Sequence, residues 1–376
     1  MMKRLKNFPV LFCFFVAVFF IGFANLILPD QDRSEMENRS LQQLPNLTVS
    51  GLLDSSSRGF AQKFETYLAD QFAGRNAWIT MKSVAEAALG KTENNGVAYG
   101  KDGYLFGIYR ACDEENLEAN LVWLETFAQL FPNTEKDLII VPSAYEILTE
   151  QAPQGLGNLD ELSRIDEINE RLSASGYMPF DAASVLSSHK EDRQLYYRTD
   201  HHWTTAGAKT VYEAYLLSIG NAPAEIDEAL LHKEQDFFGT YYSKAKKFNA
   251  IPDTLEWYDV PVDSVMLGNQ AADGLYDFSK LETRDKYAMF LYGNNGVTTI
   301  ENSAAPEGRI LVIKDSYANS FVPFLTQSFS SVTVADLRFL PKGLGALIEE
   351  GSFDRILFLY NFENLASDKN FYRLRY

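Results

Sequence analysis

Apolar and polar positions divide the chain into regions of different periodicity. An apolar run from Phe8 to Leu28 matches the roughly 20 residues needed to cross a bilayer. The next stretch, "DQDRSEMENRSLQQLPNLTVSG", is polar and has no apolar period, so it reads as a tether or extended arm. Phe60, Phe64, Leu68 and Phe72 then recur at spacings of four, the stripe of an amphipathic helix. In "GVAYGKDGYLFGIY" turn glycines separate short aromatic runs, which predicts a hairpin.

From about residue 115 helical and strand patterns alternate. "NLEANLVWLETFAQLF" and "LSRIDEINERLSASG" read as helices, and "DLIIVPS" and "YMPFDA" as strands. Three further apolar runs follow near the C-terminus, "GRILVIKDS", "SVTVADLRF" and "FDRILFLYN". Runs without polar alternation are what strands covered on both faces require. The expected fold is therefore α/β, a mostly parallel sheet with helices on both faces. Residues 222–307 are β-rich, aromatic and rich in turns, and read as an insertion beside the active edge of that sheet. The expected organisation is a stub and membrane helix over 1–29, a tether over 30–58, and one α/β domain over 59–376.

Charge refines this picture. Lys3, Arg4 and Lys6 precede the apolar run, and Asp30, Asp32 and Glu35 follow it, so the positive-inside bias puts the N-terminus in the cytoplasm and the rest outside. A cleavable signal peptide is the competing reading, but such peptides have shorter apolar regions ending in a small-x-small site. Here Leu26, Ile27 and Leu28 close the run, which favours a retained single-pass anchor. The net charge of −17 and the lack of a clustered basic face argue against a nucleic-acid partner. Cys13 lies in the apolar run and Cys112 alone beyond it, leaving neither a disulfide framework nor a cysteine metal site. No cofactor and no metal are expected.

Two short segments carry candidate chemistry. "RILVIKDSYANSF" is a strand running into Asp315 and Ser316 and then a predicted helix start. A serine on such a turn can present its hydroxyl, with helix-start N–H groups facing a developing oxyanion. It can equally be an N-cap. "YYRTDHHWTTAGA" contains Asp200, His201, His202 and Trp203, with two of the chain's four histidines. Asp-x-His lets a carboxylate fix an imidazole tautomer, whereas the plain alternative is a capped helix boundary with both rings packed on Trp203. Metal binding by the pair is weaker, because adjacent helical residues do not face each other. A serine, a His–Asp pair and a third strand ending at Asn361 together are the parts of an acyl-transfer site.

"TDHHWTTAGA" resembles the motif that names the DHHW family, and "IKDSYANSF" resembles the nucleophile block of SGNH hydrolase-like proteins of the alginate O-acetyltransferase type. "ENRSLQQLP", "FETYLADQFAGRN" and "GKDGYLF" are similar to that group too, so the likeness covers most of the chain after the apolar run. It implies Ser316 as nucleophile, His202 as base and Asp200 as its orienting carboxylate, with His201 supporting the turn or lining a substrate groove. Two departures stand out: Lys314 replaces the usual glycine before Asp-Ser, and no Gly-x-Asn-Asp motif is present. Asn361 is the candidate oxyanion donor, with Asn364, Asn294 and Asn295 behind it. Trp203, Tyr317 and Asn319 complete the candidate oxyanion or substrate-binding set. The resemblance implies an O-acetyltransferase or acetylesterase acting on a cell-surface or secreted polysaccharide, with a membrane-bound O-acyltransferase as acetyl donor. The alternative is a non-catalytic, membrane-anchored glycan-binding or scaffold protein.

Overall fold

The structure, a computed structural model, describes residues 9–56, 59–350 and 353–375. They form two compact units, one of residues up to Lys91 with 246–249, the other of Thr92–Ala245 with the chain from Ala250 onward.

The first unit opens with helix α1 (Pro9–Ile27), which is long and apolar enough to cross a membrane and has no buried residues. What the sequence presents as a tether is more ordered than an extended arm. Strands β1 (Arg33–Ser34) and β2 (Arg39–Ser40) pair antiparallel. The Glu37 carboxylate between them meets Arg39, Arg75 and Lys246, while Asp70 accepts Arg39 Nη1 at 2.8 Å and the Gln42 N–H at 2.9 Å. The charges of "MENRS" are thus matched by partners distant in sequence, which periodicity alone does not reveal. The Phe60–Phe72 stripe spans helix α2 (Phe60–Asp70) and the turn after it. Gly74, at φ 70°, supplies the left-handed residue that separates α2 from α3 (Arg75–Ala88), a conformation glycine adopts without a Cβ penalty. Leu68 and Phe72 remain exposed.

The second unit starts with the predicted hairpin as a small antiparallel sheet, β3 (Glu93–Asn94), β4 (Val97–Tyr99) and β5 (Leu105–Gly107). Helix α4 (Glu114–Leu130), strand β6 (Glu135–Val141), helix α5 (Glu161–Ser173), strand β7 (Met178–Phe180), and helices α6 (Ala182–His189) and α7 (Thr205–Ser218) follow. The insertion supplies the antiparallel pair β8 (Leu231–Phe237) and β9 (Asp253–Tyr258), then β10 (Ser264–Leu267), β11 (Gln270–Ala272) and β12 (Val297–Glu301). Strands β13 (Arg309–Lys314), β14 (Ser331–Ala335) and β15 (Arg355–Asn361) complete the set. The main sheet has the order β11-β10-β12-β14-β13-β15-β6-β7. Strands β14, β13, β15, β6 and β7 are mutually parallel, as the apolar runs predict, and β12, β10 and β11 extend that sheet antiparallel. Much of the insertion is thus continuous with the sheet.

The two faces explain the absent alternation. Ile310, Val312, Leu357 and Leu359 pack with α6 and α7 residues such as Leu186, Val211 and Tyr215. Leu311, Ile313, Ile356 and Phe358 pack with Leu121, Leu124 and Phe127 of α4 and Ile165 and Ile168 of α5. Successive side chains of each strand point to opposite faces, and each face meets a helical layer. The parallel strands all end at one edge, where open α/β sheets collect function.

Candidate active site

Strand β13 delivers Lys314, Asp315 and Ser316 to that edge. The predicted helix after them is a 3-10 segment, Ser316–Ser320, followed by the four-residue helix Val322–Leu325 with Pro323 in its first turn. No long helix starts here, so a helix dipole contributes less than the sequence implies. Asp315 shapes the turn instead. Its Oδ1 accepts the Tyr317 N–H at 2.8 Å, and its Oδ2 accepts the Asn361 N–H at 2.8 Å and Asn364 Nδ2 at 2.7 Å. Burial raises the Asp315 pKa and these donors oppose that rise. The Tyr317 N–H is consequently engaged, whereas the Ser316 N–H has no hydrogen bond among the described residues.

The segment 195–204 doubles back on itself. Tyr196 bridges Trp203, the Tyr197 N–H donates to the His202 carbonyl at 3.2 Å, and the Thr204 N–H donates to Leu195 O at 2.8 Å. Thr204 caps α7, accepting the Gly207 N–H at 3.1 Å. The helix-boundary reading is therefore right about Thr204, and it coexists with the His–Asp pairing. His202 Nδ1 lies 2.5 Å from Asp200 Oδ1, and His202 Nε2 lies 2.8 Å from Ser316 Oγ. Asp200 Oδ1 also accepts the His202 N–H at 3.0 Å, and Oδ2 the Thr240 N–H at 2.6 Å. Burial alone would raise the Asp200 pKa, but the two imidazoles and these hydrogen bonds outweigh it and hold the carboxyl well below the usual range. With Asp200 on Nδ1, His202 Nε2 is the nitrogen that can accept the serine proton.

The other candidates take varied positions. His201 sits beside His202, ring centroids 3.8 Å apart, with its side chain 30% exposed and Nδ1 lacking a hydrogen-bond partner. Burial and the neighbouring His202 push its pKa down to about 3, leaving it neutral near pH 7. Trp203 is buried and donates from Nε1 to Tyr317 O at 2.9 Å and Ser320 Oγ at 3.1 Å. The Tyr317 hydroxyl bonds to the His201 carbonyl. These two aromatics thus fasten the histidine turn to the serine turn.

Asn361 and Asn319 are both occupied by the framework. Asn361 Nδ2 donates to Val141 O at 3.0 Å, and its Oδ1 caps Glu363 N at 3.1 Å, joining the ends of β15 and β6. Asn319 Oδ1 accepts buried Lys314 Nζ at 2.6 Å, and Lys314 also bonds Asn294 Oδ1 at 2.9 Å and faces Asp336 at 3.4 Å. The cation replacing glycine is therefore turned into a polar cluster; burial lowers its pKa to about 8 although Asp336 opposes the fall.

Three further residues are invisible to motif reasoning. Tyr287, from the insertion, stacks on His202 at 3.9 Å with planes 11° apart, and its hydroxyl donates to Ser316 O at 3.0 Å. Gly239 lies against Asp200, where an added Cβ would stand 2.2 Å from the carboxylate. Thr240 supplies the N–H already noted. The aromatic insertion and the turn "FFGTYY" are visible in the sequence, but their register on the histidine is not. The donor atoms of Asp200, His201 and His202 lie within 4.8 Å of one another and could hold a cation. An ion there would compete with the bond between Asp200 and His202.

The mostly parallel sheet with this site at its strand ends has the fold of SGNH hydrolase-like proteins. The family model for DHHW proteins matches residues 173–335 and the SGNH hydrolase-like domain model of acetyltransferase AlgX matches residues 97–247. Among solved structures, a DHHW family protein from Eubacterium siraeum shares 21% identity at a TM-score of 0.64, covering 75% of this chain and 96% of that one. PatB1 of Bacillus cereus shares 22% at 0.59, covering 71% and 96%. A second PatB1 structure, carrying a sulfonyl adduct, matches at 21% and 0.57, covering 72% and 98%. No curated protein matches the chain.

Proposed function

We propose that this chain is a membrane-anchored, extracytoplasmic acyl-transfer enzyme that uses Ser316, His202 and Asp200 to place acetyl groups on, or remove them from, a cell-surface or secreted polysaccharide. The observation that carries the reading is the continuous relay from Asp200 to His202 to Ser316, with contacts of 2.5 and 2.8 Å, inside the range of a nucleophile–base pair. The acetyltransferase description of the matching family model supports the acetyl group. Helix α1, apolar and long enough to span a bilayer, supports the anchor.

Ser316 Oγ attacks the acetyl carbonyl as His202 Nε2 takes its proton. The ionised Asp200 stabilises the imidazolium, and the Ser316 N–H is placed to meet the oxyanion. Collapse breaks the bond to the leaving oxygen, which takes the proton back from His202 and leaves acetyl-Ser316. A sugar hydroxyl or water then loses its proton to His202 and attacks the acetyl-serine, and the returning proton restores the Ser316 hydroxyl. Acetyl-CoA is cytoplasmic, so an outward-facing transferase takes its acetyl group from a membrane-bound O-acyltransferase partner.

The test is a chromogenic acetyl ester followed in the pre-steady state. Wild type should release a burst of chromophore stoichiometric with enzyme, and Ser316→Ala none. Equal turnover by both would refute the serine mechanism.

A further inference from the structure

Helix α1 ends at Ile27, and its last turn is fastened to the bend between α2 and α3. The Asn25 side chain accepts the Ala73 N–H at 2.6 Å. Immediately beyond the helix, the Gln31 N–H donates to Gln71 Oε1 at 2.9 Å, Gln71 Nε2 returns a bond to Gln31 O at 2.9 Å, and the Tyr67 hydroxyl reaches Asp30 Oδ1 at 3.2 Å. A rise of about 1.5 Å per residue puts Asn25 roughly 3 Å from the helix end. The bend at 71–74 therefore lies level with the end of the apolar span. A cleft of about 350 Å³ between them is lined by Leu28, Pro29, Phe72 and Gly74, among others.

Two large aromatics project at this level. Phe72 is 38% exposed and Trp78 46%, with ring centroids 6.4 Å apart in an edge-on arrangement. One turn along α3, Met81 is exposed on the same side, because residues three and four apart share a helix face. Exposed aromatics in water are a cost, but at a bilayer interface the amphipathic indole is at home. A single spanning helix leaves the attached unit free to tilt, and an interfacial aromatic pair would remove that freedom.

We propose that the α2–α3 bend is a lipid-contacting surface, with Phe72 and Trp78 seated in the headgroup layer of the bilayer that α1 crosses. This inference rests on α1 being a membrane span and is independent of the acyl chemistry. The occupant is the lipid interface itself, argued from the direct hydrogen bond between the end of the span and the bend.

Tryptophan quenching in the full-length chain tests it. Of the four tryptophans, Trp203 and Trp257 are buried and Trp123 partly so, leaving Trp78 the exposed one. The chain is reconstituted in phosphatidylcholine vesicles containing lipids brominated near the headgroup end of the acyl chain. Wild-type emission should be quenched, and Trp78→Phe should lose that quenching while keeping the wild-type far-UV circular dichroism as a check on folding. Equal quenching in wild type and Trp78→Phe, or none in either while the chain floats with the vesicles, would overturn the lipid contact alone. Failure to float with the vesicles would overturn the span and this proposal together.

Discussion

Asp200 and Glu161 are both buried acids near the carboxyl end of the sheet, and they hold protons in opposite ways. Asp200 faces His202 and the N–H groups of His202 and Thr240. Glu161 faces Ser143, whose N–H reaches Oε2 at 2.7 Å and whose hydroxyl lies 3.0 Å from Oε1. The same hydroxyl lies 3.3 Å from Glu363 Oε1. One hydroxyl hydrogen cannot serve two ionised carboxylates. Burial and the neighbouring Glu363 push Glu161 up to about 8, against the Ser143 donors. Comparable burial therefore yields an anion where an imidazole is the partner and a protonated acid where another acid is. The first can stabilise an imidazolium, and the second is joined to Ser143 just beyond β6.

The largest expected effect breaks the Asp200 side of this comparison. His202→Ala removes the imidazole that contacts Ser316 Oγ, and Asp200→Asn removes the carboxylate that contacts His202 Nδ1. Each should lower kcat/KM for an acetyl ester by about 10⁴-fold, the order seen when triad members are removed. Thermal melts should show the variants folded. A loss below about tenfold in both would mean that the 2.8 Å contact is not used for chemistry.

Glu161→Gln sharpens the other side. The folded carboxyl binds its proton more tightly than the unfolded chain does, with a pKa of about 8 against an ordinary 4.5. Its contribution to stability is full below about pH 4.5 and is lost as pH rises through 8. Glutamine keeps the shape without ionising, so it should raise the melting temperature at pH 8.5 and do little at pH 4.5. The gain at the higher pH should be on the order of a few kcal/mol. A gain independent of pH would show that Glu161 is not the titrating group.

Which parts could be read from the sequence follows from how local each signal is. Ile310–Ile313 and Ile356–Leu359 reveal doubly covered strands because burial on both faces removes the alternation. The contact among Asp200, His202 and Ser316 was legible because a short motif carries each. The occupation of Asn361 and Asn319 was not, since it depends on Val141 and Lys314 being their neighbours across the fold. Tyr287 gave no signal either. A tyrosine in an aromatic insertion reads as core, and its stacking on His202 depends on long-range register. The order of the arm was not legible for the same reason: Asp70 and Lys246, which meet its charges, lie far along the chain.

Tyr287 predicts an intermediate effect. Its ring covers the imidazole face, and its hydroxyl bonds Ser316 O. Tyr287→Phe keeps the stack, whereas Tyr287→Ala loses it. An aromatic contact contributes about 0.5–1.5 kcal/mol beyond area burial, so the alanine variant should lose up to about tenfold in kcat, and phenylalanine less. Equal losses in the two variants would assign the effect to the hydrogen bond.

The smallest effect belongs to His201, the imidazole adjacent to His202. Its Nδ1 lies 3.5 Å from Asp200 Oδ1 without a hydrogen bond, and a pKa near 3 keeps the ring neutral through the working range. It therefore cannot supply a second charge to the relay. The Tyr317 hydroxyl holds its backbone carbonyl, not its ring, so truncating the side chain leaves that fastening in place. His201→Ala should keep kcat for a small acetyl ester within about tenfold, a loss of no more than about 1.4 kcal/mol. The pH–rate profile between pH 5 and 9 should keep its shape. A rise in KM for a glycan acceptor, with kcat for the small ester kept, would place the exposed ring edge in the acceptor groove. Inactive His201→Ala beside active His202→Ala would instead transfer the base to the preceding residue.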